Sequence, residues 1–111
     1  ILKYAPPGPL DVRPLRHGLI AGEAPAPSLF GDWHARTGTE LYEALGMSEI
    51  STYVSTCPGM VRKEGSPGRA QPGRRVAVLP VEGGTEPLPA GEEGLIAVHR
   101  SDPGLMLGYW N

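Results

Sequence analysis

Leu41-Tyr42-Glu43-Ala44-Leu45-Gly46-Met47-Ser48-Glu49 is the stretch on which the reading of this chain turns. An alternating apolar run reaches a glycine, and a hydroxyl and a carboxylate follow at once. A glycine at 46 lets the backbone approach a ligand closely. Ser48 offers a hydroxyl to a phosphate, and Glu49 offers a hard oxygen to a divalent cation. Backbone, hydroxyl and carboxylate side by side suit a metal-bound polyphosphate. The plainer reading of the same residues is a strand end followed by a helix N-terminus.

Upstream, Leu15–Ala21 reads as a short buried strand bounded by turn residues. Gly22-Glu23-Ala24-Pro25 is the loop after it. Ala26-Pro27-Ser28 opens a helix, with Pro27 or Ser28 in its first turn. Leu29, Phe30, Trp33 and Thr37 share one face of that helix, and Gly38 stops it. Thr39–Glu43 is the next strand. Strand, helix and strand within about thirty residues make a βαβ unit with parallel strands. Parallel strands end on one sheet edge, which brings the loops Gly22–Pro25 and Ala44–Glu49 close together. Ligands of open α/β sheets bind outside the carboxyl ends of the strands. The expected site is therefore a cleft whose two lips are residues 22–25 and 46–49.

The remainder has a different character. Ile1–Tyr4 reads as the end of a helix that Pro6 and Pro7 terminate. Ile50–Thr56 suits a strand or a helix, and its β-branched residues favour the strand. Beyond Gly65 the chain is punctuated by Gly-Pro turns. Arg75–Leu79 and Gly94–His99 are short strands with a hairpin-type turn at Glu82–Thr85. The expected fold class is α/β: a fragment of a βαβ-type parallel-sheet subdomain over residues 1–64, then part of a small antiparallel β-rich, barrel-like subdomain over 65–111.

The 111 residues suffice for one domain at most, and the chain starts at isoleucine and stops at Trp110-Asn111, as a piece of a longer protein would. Sixteen glycines and thirteen prolines approach a disordered composition, but 40% of residues are hydrophobic and the glycines and prolines fall between apolar runs. A net charge of −2 argues against nucleic acid as a partner. The single cysteine, Cys57, excludes an internal disulfide and suggests a reducing, cytoplasmic setting. No run is long and apolar enough to span a membrane. His17, His34 and His99 lack metal-ligand spacing. Arg74-Arg75 reads as a solvated strand start, and Tyr109 and Trp110 as packing residues.

Gly65-Ser66-Pro67-Gly68-Arg69-Ala70-Gln71-Pro72-Gly73, Pro87-Leu88-Pro89-Ala90-Gly91-Glu92-Glu93-Gly94, Ile96-Ala97-Val98 and Gly108-Tyr109-Trp110-Asn111 occur in an order and spacing that resemble the adenylate-forming (AMP-binding) superfamily, in its acyl-CoA synthetase branch. The resemblance runs from about Leu15 to the last residue. It implies that Gly46-Met47-Ser48-Glu49 is the ATP–Mg²⁺ motif, with Ser48 on phosphate and Glu49 on Mg²⁺ as the catalytic pair. It further implies that Gly22-Glu23-Ala24-Pro25 lines the adenine and acyl group, and that Glu43, Ala44 and Leu45 border the adenine. The implied substrates are a carboxylic acid, ATP and CoA, joined through an acyl-adenylate. Leu45 stands where many members carry tyrosine, which suggests a small or flat acid. Ser48 keeps the hydroxyl of the commoner threonine, and Leu95 replaces a common glutamate. The phosphate-wrapping loop ending in lysine, the Thr-Gly-Asp motif, the hinge and the catalytic lysine of the family are not in these residues, which implies that they do not catalyse the reaction alone. Two other readings stay open: a non-enzymatic β-rich binding or scaffold module, and an enzyme that adenylates an amino acid or a luciferin-like acid.

Overall fold

The computed structural model describes residues 1–110; Asn111, the last residue of the Gly108–Asn111 motif, lies outside them. Strand β1 (His17–Ala21), helix α1 (Ser28–Thr37) and strand β2 (Glu40–Met47) form the βαβ unit, followed by β3 (Ser51–Ser55), β4 (Arg69–Ala70), β5 (Val76–Leu79) and β6 (Leu95–Val98). The first four strands make one sheet in the order β1-β2-β3-β4, and β5 and β6 make a second. β1 and β2 are parallel, with His17 opposite Glu40 and Ala21 opposite Ala44. Every other pairing is antiparallel. The expected fold class is thus what the chain adopts. The segment Ile1–Tyr4 keeps one helical turn, in which the amide of Ala5 donates to Ile1 O at 3.0 Å.

Helix α1 starts at Pro27 without a side-chain cap and ends at Gly38, whose left-handed backbone (φ 67°) donates its amide to His34 O. Its buried residue is Trp33, which packs on β1 and donates its indole N–H to Thr39 Oγ1 at 3.0 Å. Trp33 thereby holds the helix on the sheet and fixes where β2 begins.

Two expectations about the strands are corrected. β2 does not stop at Glu43: it continues through Met47, because β3 pairs with it antiparallel from Ala44–Ser55 out to Met47–Ser51. The residues expected as a loop are therefore mostly the end of a strand, and neither a helix nor a helix N-terminus follows. The Gly-Pro stretch from Gly65 to Gly73 also holds a short strand between its turns. β4 pairs with β3, so the first sheet reaches past the expected boundary into residues 69 and 70.

The core is centred on β3. Ile50 (3% exposed), Tyr53 and Val54 are buried, and Leu45, Val76, Val98 and Leu105 pack against them. One apolar cluster thus joins the two sheets, and burying an aliphatic side chain of this size contributes about 1.5–3 kcal/mol. A polar clamp lies beside it. Arg74 pairs with Asp102 Oδ1 and donates to Thr52 O at 3.0 Å and to Ile50 O at 3.5 Å. The Asp102 side chain has no exposed surface, and Arg74 is 16% exposed. Arg74 is therefore not the solvated strand start expected from the sequence. Arg75 is: it lies on the surface with His99 and Ser101.

Burial pushes the Asp102 carboxyl up, but the Gly104 amide and the Arg74 guanidinium outweigh it and hold the group below its ordinary value. A carboxylate whose folded pKa is lowered contributes stability above its unfolded pKa, near 4, and that contribution disappears as pH falls through the folded value. Arg74→Met leaves Asp102 buried without a cation, whereas Arg74→Met combined with Asp102→Leu removes both charges. The single variant is expected to melt well below the parent in thermal denaturation at pH 7, and the double variant to recover part of that loss. Equal melting of single and double variants would contradict the clamp.

Candidate functional site

The site expected from the sequence lies at one edge of the first sheet. β1 ends at Ala21, level with Ala44, and the loop Gly22–Pro25 leaves the sheet there with Gly22, Glu23 and Ala24 exposed and Pro25 half-buried. β2 runs three residues further, about 10 Å at the rise of a strand, before the chain turns. The amide of Ile50 donates to Met47 O at 3.2 Å, so Ser48 and Glu49 are the two central residues of a β-turn at the tip of the β2–β3 hairpin. Ser48 is exposed and Glu49 half-buried. Both loops lie at the same sheet edge, with the hairpin tip projecting beyond the first loop. The concavities beside Trp33, beside Thr56 and Cys57, and at Val12–His17 are lined by other residues.

The residues between the two lips have other partners. Glu43 is gripped by Thr56: its amide donates to Thr56 Oγ1 at 2.8 Å, and its carbonyl accepts the Thr56 amide at 2.9 Å. The Ala44 side chain is buried, and Leu45 packs against the Ile50–Tyr53–Val54 cluster. Leu45 thus has a packing role in the hairpin. Gly46 sits at a register shift, where Leu45 faces Val54 but Gly46 already faces Thr52, so that Tyr53 is the extra residue of a bulge. A side-chain carbon at 46 would lie 2.5 Å from Ser51 O and 2.7 Å from the Thr52 Cα. The glycine is required by the opposite strand of its own hairpin. Met47 is exposed at the strand end.

The partner of Glu49 was not legible as such. Tyr109, read from the sequence as a packing residue, donates its hydroxyl to Glu49 Oε1, and the amide of Met106 donates to Glu49 O at 2.8 Å. The Tyr109 hydroxyl and the backbone amide of Glu49 itself hold the carboxyl below the usual carboxylate range. The phenol is correspondingly pushed up. At neutral pH Glu49 is a carboxylate. The Gly-Tyr-Trp triplet was the available signal, but sixty positions separate the two side chains and no spacing rule connects them.

Whether Mg²⁺ suits this site follows from its donor chemistry. Mg²⁺ keeps most of its waters and takes one or two protein carboxylates together with substrate phosphates, rather than an all-protein cage. A single ionised carboxylate at an exposed tip, next to a hydroxyl, fits that pattern. No cluster of three or more metal-binding side chains exists among the described residues, so a fully protein-ligated metal does not fit there.

The family model for AMP-binding enzymes matches residues 2–110. This chain belongs to that family. Among curated relatives, human mitochondrial acyl-coenzyme A synthetase ACSM5 is 44% identical over 84 residues, which cover 76% of this chain and 14% of the relative. Among solved structures, apo MatB from Rhodopseudomonas palustris superposes with a TM-score of 0.76 at 30% identity, covering 86% of this chain and 18% of MatB. The anthranilate CoA ligase AuaEII, solved with anthranoyl-AMP, gives 0.74 at 30% identity and the same coverages. The chain thus spans about one-seventh of the curated relative's length. The expectation of a cytoplasmic setting is overturned, because the ACSM5 and ACSM3 relatives are mitochondrial. A lone cysteine indicates only a reducing compartment, and it does not distinguish one such compartment from another.

The close approach at Gly46 makes a prediction. Gly46→Ala forces the hairpin open at the bulge and is expected to cost about 1–3 kcal/mol, as overpacking does, read from chemical denaturation. An unchanged midpoint would show that the bulge tolerates a side chain and that the glycine serves something other than the hairpin.

Proposed function

We propose that this chain is the part of an AMP-forming acid–thiol ligase that presents two nucleotide-contacting loops on one sheet edge. The intact enzyme activates a carboxylic acid with ATP to an acyl-adenylate and pyrophosphate, then transfers the acyl group to the thiol of CoA. The observation that carries this reading is the β-turn that places an exposed Ser48 beside a half-buried, ionised Glu49, on the edge where the Gly22–Pro25 loop also leaves the sheet.

In this reading Ser48 contacts a phosphate oxygen and Glu49 supplies the protein oxygen for Mg²⁺, while Gly22, Glu23, Ala24 and Pro25 pass along the adenine and the acyl group. Glu43, Ala44, Leu45, Gly46 and Met47 form the floor, with their contribution limited by the packing just described. Mg²⁺ held at Glu49 would neutralise phosphate charge. The attacking carboxylate is already ionised at neutral pH, so the chain needs no general base for that step. Its task is to place charge and hold geometry. CoA and the acid engage surfaces that these residues do not complete, and the mitochondrial relatives support a mitochondrial setting for the intact enzyme.

The scaffold alternative lacks support of this kind, since the family match extends over residues 2–110. The test is acid-dependent ATP–pyrophosphate exchange. In the intact ligase Glu49→Gln is expected to lower exchange about 100-fold, in the range for loss of one charge-stabilising group at a reacting centre. The isolated 111 residues are expected to show none. Parent-level exchange in Glu49→Gln would refute the role of Glu49.

A further inference from the structure

We propose that Tyr109 is the positioning residue for Glu49: its hydroxyl fixes one carboxylate oxygen so that the other is presented to the metal. This rests on the reading of Glu49 as the Mg²⁺ ligand and extends it to a residue far along the chain. Two observations carry it. The Tyr109 hydroxyl donates to Glu49 Oε1. Independently, the Met106 amide donates to Glu49 O at 2.8 Å, which ties the segment bearing Tyr109 to the hairpin tip through the backbone. Gly108 lies between these two anchors with φ +154°, a conformation that L side chains rarely adopt, and brings the ring back towards Glu49.

The chemistry gives this contact a purpose. A glutamate at position i+2 of a turn has three rotatable side-chain bonds, and the turn backbone alone does not choose among its rotamers. A metal ligand that must also accommodate a moving phosphate benefits from a fixed orientation, which hydrogen-bonding partners behind a ligand commonly provide. Oε1 is used by the phenol, and among the described residues no other side chain bonds to the carboxylate. Oε2 is left for the cation. Tyr109 itself reaches Glu49 through its hydroxyl and acts on the metal only through that side chain.

The test uses the intact ligase with ATP and Mn²⁺ as the probe, in the absence of acid and CoA. Binding is followed by loss of the free Mn²⁺ electron paramagnetic resonance signal. Tyr109→Phe keeps the ring and removes the donor. It is expected to weaken Mn²⁺–ATP binding about tenfold, in the range for loss of a ligand's hydrogen-bonding partner. It should also raise the Mg²⁺ concentration for half-maximal exchange, while kcat recovers when Mg²⁺ is saturating. 4-Aminophenylalanine at 109, which restores an N–H donor at the same ring position, is expected to restore binding. In a Glu49→Gln background the Phe substitution is expected to add nothing. If Glu49→Gln weakens Mn²⁺–ATP binding and Tyr109→Phe does not, the positioning role is refuted while the ligand role stands. If Glu49→Gln leaves binding unchanged, both are refuted. If Tyr109→Phe weakens binding and the aminophenylalanine variant fails to restore it, the hydroxyl is not the operative group and the proposal is overturned.

Discussion

The Arg74 guanidinium is the joint between the two sheets. It sits just before β5, yet its hydrogen bonds go to the carbonyls of Ile50 and Thr52 at the start of β3 and to Asp102 beyond β6. The start of β3 and the β5–β6 pair, which share no strand pairing with each other, are fixed by one planar group with several donors. The apolar contacts of Ile50, Tyr53 and Val54 with Val76, Val98 and Leu105 supply attraction at the same junction, but they are non-directional. The ion pair supplies the angle. That angle decides where the chain after Asp102 runs, and it runs back over the hairpin tip, where Met106 and Tyr109 reach Glu49.

The same construction leaves much surface uncovered. The radius of gyration is 17.0 Å, against about 13 Å for a compact domain of this length. The accessible surface is 8624 Å², against about 5,900 Å² for a folded monomer of this mass. Leu19, Ile96, Val61 and Leu107 are exposed. A sheet with β1 on a free edge and an apolar groove beside Trp33 and Leu41 is built to be covered. This agrees with the small share of each relative that the chain spans.

Much of this was legible in the sequence, and the reasons divide cleanly. The βαβ unit was readable because its signals are local: a helical face ending at Gly38, apolar runs on either side, and the parallel pairing that such a connection dictates. The strands β5 and β6 were readable from their Gly-Pro boundaries. The extent of β2 was not, because residues 45–47 lie beyond the pairing with β1 and are strand only by virtue of pairing with β3, and a propensity reading sees Gly46 as a stop. The glycine is a bulge partner, and its physical requirement is Ser51 O, a contact that no one-dimensional pattern reveals. Arg74, Asp102 and Tyr109 were missed for a related reason. Each looks ordinary among its neighbours, as a strand-start cation, a turn aspartate and an aromatic near the end. Each acquires its role only from residues between twenty-two and sixty positions away.

The central claim is spatial: the Gly22–Pro25 loop and the Ser48–Glu49 turn flank one nucleotide. A crystal structure of the intact ligase with AMP and Mn²⁺, with the metal located by its anomalous signal, tests it most directly. The account predicts the nucleotide between those two segments and a manganese peak at the Glu49 carboxylate. Nucleotide density on another face of the sheet, with Glu49 away from both nucleotide and metal, would contradict it.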